Sequence, residues 1–159
     1  MPKLDIEAIA SSNRTGYPAP FDQAVAGRWW RRLAPACGLT RMGASHVTLD
    51  PGAWSSQRHW HDEEDELVIM LTGEAVLIEG LPGEDPSRTI LRVGDVCGWA
   101  AGDGIAHNIV NESDQPCSFV AVGAGNKDGS GGYADIDMMF SADGYFHKDG
   151  TPYATERLP

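Results

Sequence analysis

Two glycine-bounded segments constrain the fold of this chain more than any other feature. The first runs from Gly52 to Gly73 and contains His59, His61 and Glu66, while the second runs from Gly94 to Asn111 and contains His107. Three imidazoles and one carboxylate are a common ligand set for a transition metal. Because the ligands are divided between two distant segments, we expect a closed β structure to bring them together around one ion.

The rest of the pattern predicts an all-β domain. From Leu39 onward, short apolar runs alternate with turns rich in glycine, proline and aspartate, which is typical of a β-sandwich or barrel. The predicted strands lie within residues 42–49, 55–61, 66–71, 75–80, 88–93, 106–111 and 117–123. We expect residues 1–38 to form an arm packed on the barrel, 39–123 the barrel, and 124–159 a loop-rich tail of the same domain. A short helix is expected around Phe21 to Leu33.

Strand alternation predicts which side chains near the histidines face the interior. Residues two apart on a strand share a face, so Gln57, His59 and His61 are expected to point inward and Arg58 outward. Gln57 is therefore the candidate substrate-binding residue. Glu66 has the wrong parity for the same strand, which predicts a turn over residues 62–65.

The strand that follows this turn is expected to be apolar on both faces. Its inner face carries Val68 and Met70 after Glu66, and its outer face carries Leu67, Ile69 and Leu71. An apolar outer face predicts that the arm or a second subunit covers it.

The two segments resemble the paired motifs of the cupin superfamily. The first motif is matched, with one extra residue after its first glycine, by Gly52, His59, His61, Glu66 and Gly73. The second is matched, with alanine at position 100 in place of the usual proline and two extra residues before the histidine, by Gly94, Gly102, His107 and Asn111. The resemblance covers about residues 42–123. It implies a double-stranded β-helix, or jelly-roll barrel, whose metal ligands are His59, His61, Glu66 and His107.

The resemblance also implies a range of functions. The ligand set suits one divalent transition metal, which is Mn, Fe, Ni, Co or Zn, and leaves two positions open on a six-coordinate ion. Residues 94–113 and 147–153 are similar to small single-domain cupins labelled as sugar-phosphate isomerases. A metal-dependent isomerase or epimerase of a small oxygenated metabolite is our leading hypothesis, with no catalytic residue assigned. An Fe(II)-dependent dioxygenase and a non-catalytic ligand-binding cupin are the alternatives.

Charge bears on both substrate and partners. A phosphorylated substrate needs positive charge nearby, and the predicted inner face carries none, which leaves loop or tail residues such as Lys148. The net charge of −11 argues against nucleic acid, and no apolar run reaches the length of a membrane span. The three cysteines lack metal-type spacing and predict reduced thiols in the cytoplasm. A small molecule and a second copy of the chain, forming a homodimer, are the expected partners.

Overall fold

The computed structural model describes residues 3–126 and 128–154. Within these residues, twelve strands form two antiparallel sheets, and the helical elements are a 3-10 turn (Gln23–Val25) and one helical turn, α1 (Leu33–Ala36). The strands are β1 (Arg28–Arg32), β2 (Gly43–Leu49), β3 (His59–His61), β4 (Glu64–Thr72), β5 (Glu74–Gly80), β6 (Ser87–Arg92), β7 (Val96–Trp99), β8 (Ala106–Val110), β9 (Cys117–Gly125), β10 (Gly131–Tyr133), β11 (Met139–Ser141) and β12 (Gly144–Phe146). No helix in these two ranges is long and apolar enough to cross a membrane.

The two sheets interleave strands that are distant in sequence. The five-stranded sheet has the order β1-β2-β9-β4-β7, and the seven-stranded sheet has the order β12-β11-β10-β3-β8-β5-β6. Their inner faces share one apolar cluster, whose members include Leu49, Met70, Leu77, Ile109 and Phe119. The all-β jelly-roll architecture expected from the sequence is confirmed, and each of the seven predicted runs contains a strand.

The alternation predicted for β4 is confirmed by burial. Val68 and Met70 are 2% and 1% exposed, whereas Leu67 and Leu71 on the opposite face are 39% and 37% exposed. In the part of the chain that the structure describes, this outer face is exposed, and the N-terminal arm instead pairs with β1 at one edge of the five-stranded sheet. There the backbone of Ser12 pairs with that of Trp30 on β1 through hydrogen bonds of 2.8 and 3.0 Å.

The helix expected around Phe21 to Leu33 is reduced to the short 3-10 turn, and residues 28–32 form β1 instead. β1 pairs with β2 over its full length, from Arg28 opposite Leu49 to Arg32 opposite Ser45. Tertiary pairing therefore overrides the modest helix propensity of this segment, since two adjacent tryptophans also suit a strand.

The tail is more regular than the sequence predicted. Instead of being loop-rich throughout, it contributes β10, β11 and β12, and β10 pairs with β3. A Cβ at Gly131 would collide with the Trp60 carbonyl oxygen and the Phe140 ring, so glycine permits this close approach. Arg58 also holds the tail, because its buried guanidinium donates two hydrogen bonds of 2.8 and 2.6 Å to Asp135.

Candidate metal centre

The candidate metal centre lies between the two sheets. His59 and His61 project from β3, and His107 projects from the neighbouring strand β8, where it is the register partner of His59. Glu66 enters from β4 in the five-stranded sheet. Residues 62–63 carry the chain from one sheet to the other, so the predicted turn is shorter than expected and connects strands that do not pair.

The four side chains converge closely. The Nε2 atoms of His59 and His61 are 3.0 Å apart, and Nε2 of His107 is 3.0 Å from Oε2 of Glu66. Nε2 of His61 is 3.5 Å from the same carboxylate oxygen. One ligand atom from each of His59, His61 and Glu66 lies within 4.8 Å of the other two. The structure thus brings together all four residues that the sequence singled out as a set.

Backbone carbonyl groups orient two of the imidazoles. Nδ1 of His59 lies 3.0 Å from the Gln57 carbonyl oxygen, and Nδ1 of His107 lies 3.1 Å from that of Ile105. A carbonyl oxygen can only accept, so Nδ1 carries the proton in each ring. In the neutral imidazole, Nε2 then holds the free lone pair, which points into the cluster. This arrangement is typical of metal-binding histidines.

The electrostatics of His59 and Glu66 favour the protonation states that a metal requires. For His61, burial lowers the pKa, but the Glu66 carboxylate outweighs it and raises the pKa above its ordinary value. Burial, followed by the charge of His107, lowers the pKa of His59 to about 3, so this ring is neutral at pH 7. Burial alone would raise the pKa of Glu66, but the adjacent imidazoles of His107 and His61 outweigh it and hold the pKa well below its ordinary value. A neutral imidazole and an ionised carboxylate are the forms that bind a cation, so this donor set fits a divalent transition metal.

Trp99 packs against one of the histidines of the centre. Its ring stacks on the His107 imidazole with centroids 3.7 Å apart and an angle of 8° between the planes. Its Nε1 donates a hydrogen bond of 2.9 Å to the Glu79 carboxylate, and on β7 it is the register partner of Glu66. The sequence left open whether Trp99 is core or pocket rim; at 7% exposure it is a core residue that contacts the centre through His107.

Gln57 occupies a different position from its neighbours. Residues 55–58 are bends, so the alternation of β3 does not extend back to it. Its side-chain amide is buried and donates a hydrogen bond of 2.8 Å to the Phe21 carbonyl oxygen in the N-terminal arm. Local backbone geometry therefore takes Gln57 out of the alternation that β3 follows, and its contact with a substrate stays a prediction.

Aromatic residues from the arm and tail pack around the imidazoles, and the sequence motifs do not predict them. The Tyr133 ring lies 5.9 Å from the His59 ring, and the Phe140 ring lies 5.5 Å from that of His61. Tyr17 packs edge-on against Tyr133 at 5.6 Å, and burial raises the pKa of Tyr17 to about 12, so it remains a neutral hydroxyl. The pairing of β10 with β3 brings Tyr133 opposite His59, although the two residues are distant in sequence.

A cavity of ≈ 1030 Å³ opens beside the centre, with His59 and Glu66 in its wall. Its wall also contains Arg28, Arg32 and Arg41. This corrects the expectation that positive charge near the site could come only from loop or tail residues such as Lys148. The sequence predicts a helix around Phe21 to Leu33. Residues 28–32 form β1 instead, and alternate side chains of a strand share one face, which here lines the cavity.

Comparisons with known proteins agree with this geometry. Residues 45–123 match the cupin domain family. A sugar phosphate isomerase of the cupin superfamily from Silicibacter pomeroyi is 36% identical over 96% of this chain and 97% of its own, with a TM-score of 0.86. No match is found among curated proteins.

Two other solved structures share the fold at lower identity. A cupin 2 conserved barrel domain protein from Salinispora arenicola is 24% identical over 79% of this chain and 88% of its own, with a TM-score of 0.55. The oxalate decarboxylase of Lactobacillus farciminis is 22% identical over 91% of this chain but 35% of its own, with a TM-score of 0.56. The two-sheet barrel, the paired histidine segments and the match to the Silicibacter pomeroyi protein show that this chain belongs to the cupin superfamily.

Proposed function

We propose that this protein is a divalent-metal-dependent enzyme that isomerises a small sugar-like metabolite, with the metal held by His59, His61, Glu66 and His107. The observation that carries the proposal is the convergence of imidazole Nε2 atoms and one carboxylate beside an open cavity. The similarity to a protein described as a sugar phosphate isomerase supports the reaction class. The ion itself would be Mn, Fe, Ni, Co or Zn, since each accepts this donor set.

The residues around the centre suit such chemistry. A bound metal would polarise a carbonyl or hydroxyl oxygen of the substrate, which favours proton transfer at the adjacent carbon. Tyr17 lies in the cavity wall as a neutral hydroxyl that can donate a hydrogen bond to a substrate oxygen. Trp99 and Tyr133 are buried against the His107 and His59 rings, so they would shield these imidazoles from water.

The proposal is tested with metal-free protein reloaded separately with each of the five metals. Each sample is incubated in D₂O with a panel of aldoses, ketoses and their phosphates, and NMR detects isomer formation and deuterium uptake beside the carbonyl carbon. An oxygen electrode follows the same reactions. We expect isomerisation without oxygen consumption, lost in His59→Ala and retained in His147→Ala, a histidine change in the tail.

Two outcomes would overturn this assignment. Oxygen uptake that requires Fe(II) would place the protein among cupin dioxygenases. Tight binding of a sugar without turnover under any of the five metals would identify a ligand-binding cupin.

We also propose that the protein forms a homodimer through the outer face of β4 and β7. Leu67, Leu71 and Val96 are 39%, 37% and 59% exposed, and Val96 is the register partner of Ile69 on the same face. Contiguous exposed apolar side chains favour association. Light scattering should give twice the chain mass for the wild type and the chain mass for Leu67→Asp/Val96→Asp; a monomeric wild type would contradict the dimer.

A further inference from the structure

The inner face of β1 carries positive charge into the cavity. Arg28, Trp30 and Arg32 alternate along this strand and all line the cavity wall, whereas Trp29 and Arg31 lie on the other face. Arg32 places its guanidinium 4.9 Å from the centroid of the Trp30 ring, a stacked position that leaves its N–H edge available. Arg41, just before β2, adds a third guanidinium to the wall.

These arginines lack the acidic partner that four other arginines have. Four arginines elsewhere form ion pairs, namely Arg31 with Glu7, Arg58 with Asp135, Arg88 with Glu112 and Arg92 with Glu74. Among residues 3–126 and 128–154, Arg28, Arg32 and Arg41 have no carboxylate within 4.0 Å. The chain carries 23 acidic residues against 12 basic ones, so unpaired arginines gathered at one cavity indicate a site for an external anion.

Arg28 is held in the cavity wall by a hydrogen bond to the backbone. Its Nη1 donates a hydrogen bond of 2.6 Å to the Ser55 carbonyl oxygen, which fixes the guanidinium in the wall. Its Nε is buried and has no hydrogen-bond partner in the described part of the chain. A buried donor without an acceptor is costly, so Arg28 is not fully satisfied by the wall itself.

The glutamates and the arginines of the cavity wall are far enough apart for a small molecule to lie between them. Glu64 and Glu66 enter the wall from β4, and the strand order places β9 and β2 between β4 and β1. Three strand spacings amount to about 14 Å along the sheet, and its curvature shortens the direct distance. A small molecule of several carbon atoms fits this span, with its anionic group attracted to the arginines of the β1 side.

We propose that Arg28, Arg32 and Arg41 form a subsite for the anionic group, a phosphate or a carboxylate, of the small molecule whose oxygenated end lies at the metal centre. This inference rests on the proposed function for the position of the oxygenated end. The arginine subsite itself is independent of metal, because none of its three residues belongs to the histidine and glutamate cluster.

The test is calorimetric titration of the full-length protein with related sugars that do or do not carry an anionic group. D-ribose, D-ribose 5-phosphate and D-ribonate are titrated into metal-loaded protein, and inorganic phosphate is titrated into metal-free protein. We expect at least one anionic sugar to bind about tenfold or more tightly than ribose, and its affinity to fall as salt increases. Tighter binding of the 5-phosphate would identify a phosphate subsite, and tighter binding of ribonate a carboxylate subsite.

Substitutions of the arginines test whether these side chains bind the anion. Arg32→Ala and Arg41→Ala, at exposed positions, should each weaken binding of the anionic sugar and of phosphate about tenfold and leave ribose unchanged. Arg28→Lys tests the inner position without removing its charge. The control Arg92→Ala, on β6 in the other sheet, should bind like the wild type.

Equal affinities for ribose and both anionic sugars, or full anion affinity in Arg32→Ala and Arg41→Ala, would overturn the subsite. Failure of the proposed metal function is a separate result. Protein that binds phosphate through these arginines but takes up no metal would retain the subsite and lose the metal centre, whereas protein that binds metal but no anion would do the reverse.

Discussion

The barrel interior has two ends that share strands but differ in chemistry. On β4, Glu66 lies at the metal-centre end, and Met70, four residues further along the same face, is 1% exposed in the apolar core. On β8, His107 is followed after two residues by Ile109, which is 2% exposed in the core. Position along a strand, and not the choice of strand, therefore separates the reactive end from the packed end. The packed end stabilises the frame on which the ligands of the other end are held.

The largest expected effect comes from breaking the packed end. Met70→Ala removes a fully buried side chain and should lower the free energy of unfolding by about 2–5 kcal/mol, because the cavity it leaves cannot collapse completely. Urea denaturation of the metal-free protein measures this change. Metal stoichiometry of the folded variant should equal that of the wild type; loss of metal at full folding would show that the two ends are not separable.

Glu66→Gln changes the metal-centre end of the same strand and leaves the apolar core intact. It removes the carboxylate charge without changing side-chain length, and we expect metal affinity to fall by at least about 100-fold, since even supporting residues of metal sites contribute about 10–100-fold. Competition with a chromophoric chelator measures the affinity. Glu74→Gln, the same substitution at an exposed position of β5, should bind metal as the wild type does. Equal affinity in the two variants would remove Glu66 from the centre.

Asp135→Asn tests the clamp between the tail and the metal-centre end. Loss of the charged partner of Arg58 should cost about 1–2 kcal/mol, a modest value because the Asp135 side chain is 58% exposed and water screens the pair. Chemical denaturation at neutral pH measures it. A change below the error of the measurement would show that the tail is held by its strand pairing alone.

The same variant has a defined pH dependence. The hydrogen bonds from Arg58 lower the pKa of Asp135 below its ordinary value of 3.8. A lowered carboxyl pKa stabilises the folded state above that ordinary value, and the stabilisation is lost as the pH falls through the lowered pKa. The difference between wild type and Asp135→Asn should therefore be complete at neutral pH and shrink below pH 3.8.

Trp99→Phe should give the smallest effect. Phenylalanine keeps an aromatic ring against His107 but removes the hydrogen bond from Nε1 to Glu79, which is worth about 1 kcal/mol of stability. Metal affinity should change by less than about tenfold, because the Nδ1 contact of His107 with the Ile105 carbonyl remains. A larger loss would mean that Trp99 orients the imidazole more strongly than the backbone does.

The sequence was sufficient where the information is local. His59, His61 and Glu66 lie in one short segment, and strand alternation with a turn is enough to place their side chains inward. His107 was found because the second segment repeats the same kind of punctuation by glycine. The apolar alternation of β4 was predictable for the same reason, and burial confirms it.

The sequence was insufficient where contacts between distant segments decide the structure. Strand alternation predicts Gln57 on the histidine face, but residues 55–58 are not part of a strand. Tyr133 and Phe140 reach the centre only because β10 pairs with β3. Arg28 and Arg32 reach the cavity only because β1 pairs with β2, a register that helix propensity does not reveal.

The most direct test of the account is the metal content of protein purified without chelator or affinity nickel, measured by elemental mass spectrometry beside His107→Ala. We predict close to one transition-metal ion per wild-type chain and a large loss in a variant that is still folded by circular dichroism. Wild-type protein that holds no metal and takes up none of Mn, Fe, Co, Ni or Zn on titration would contradict the central claim. Full occupancy in folded His107→Ala would contradict the assigned ligands.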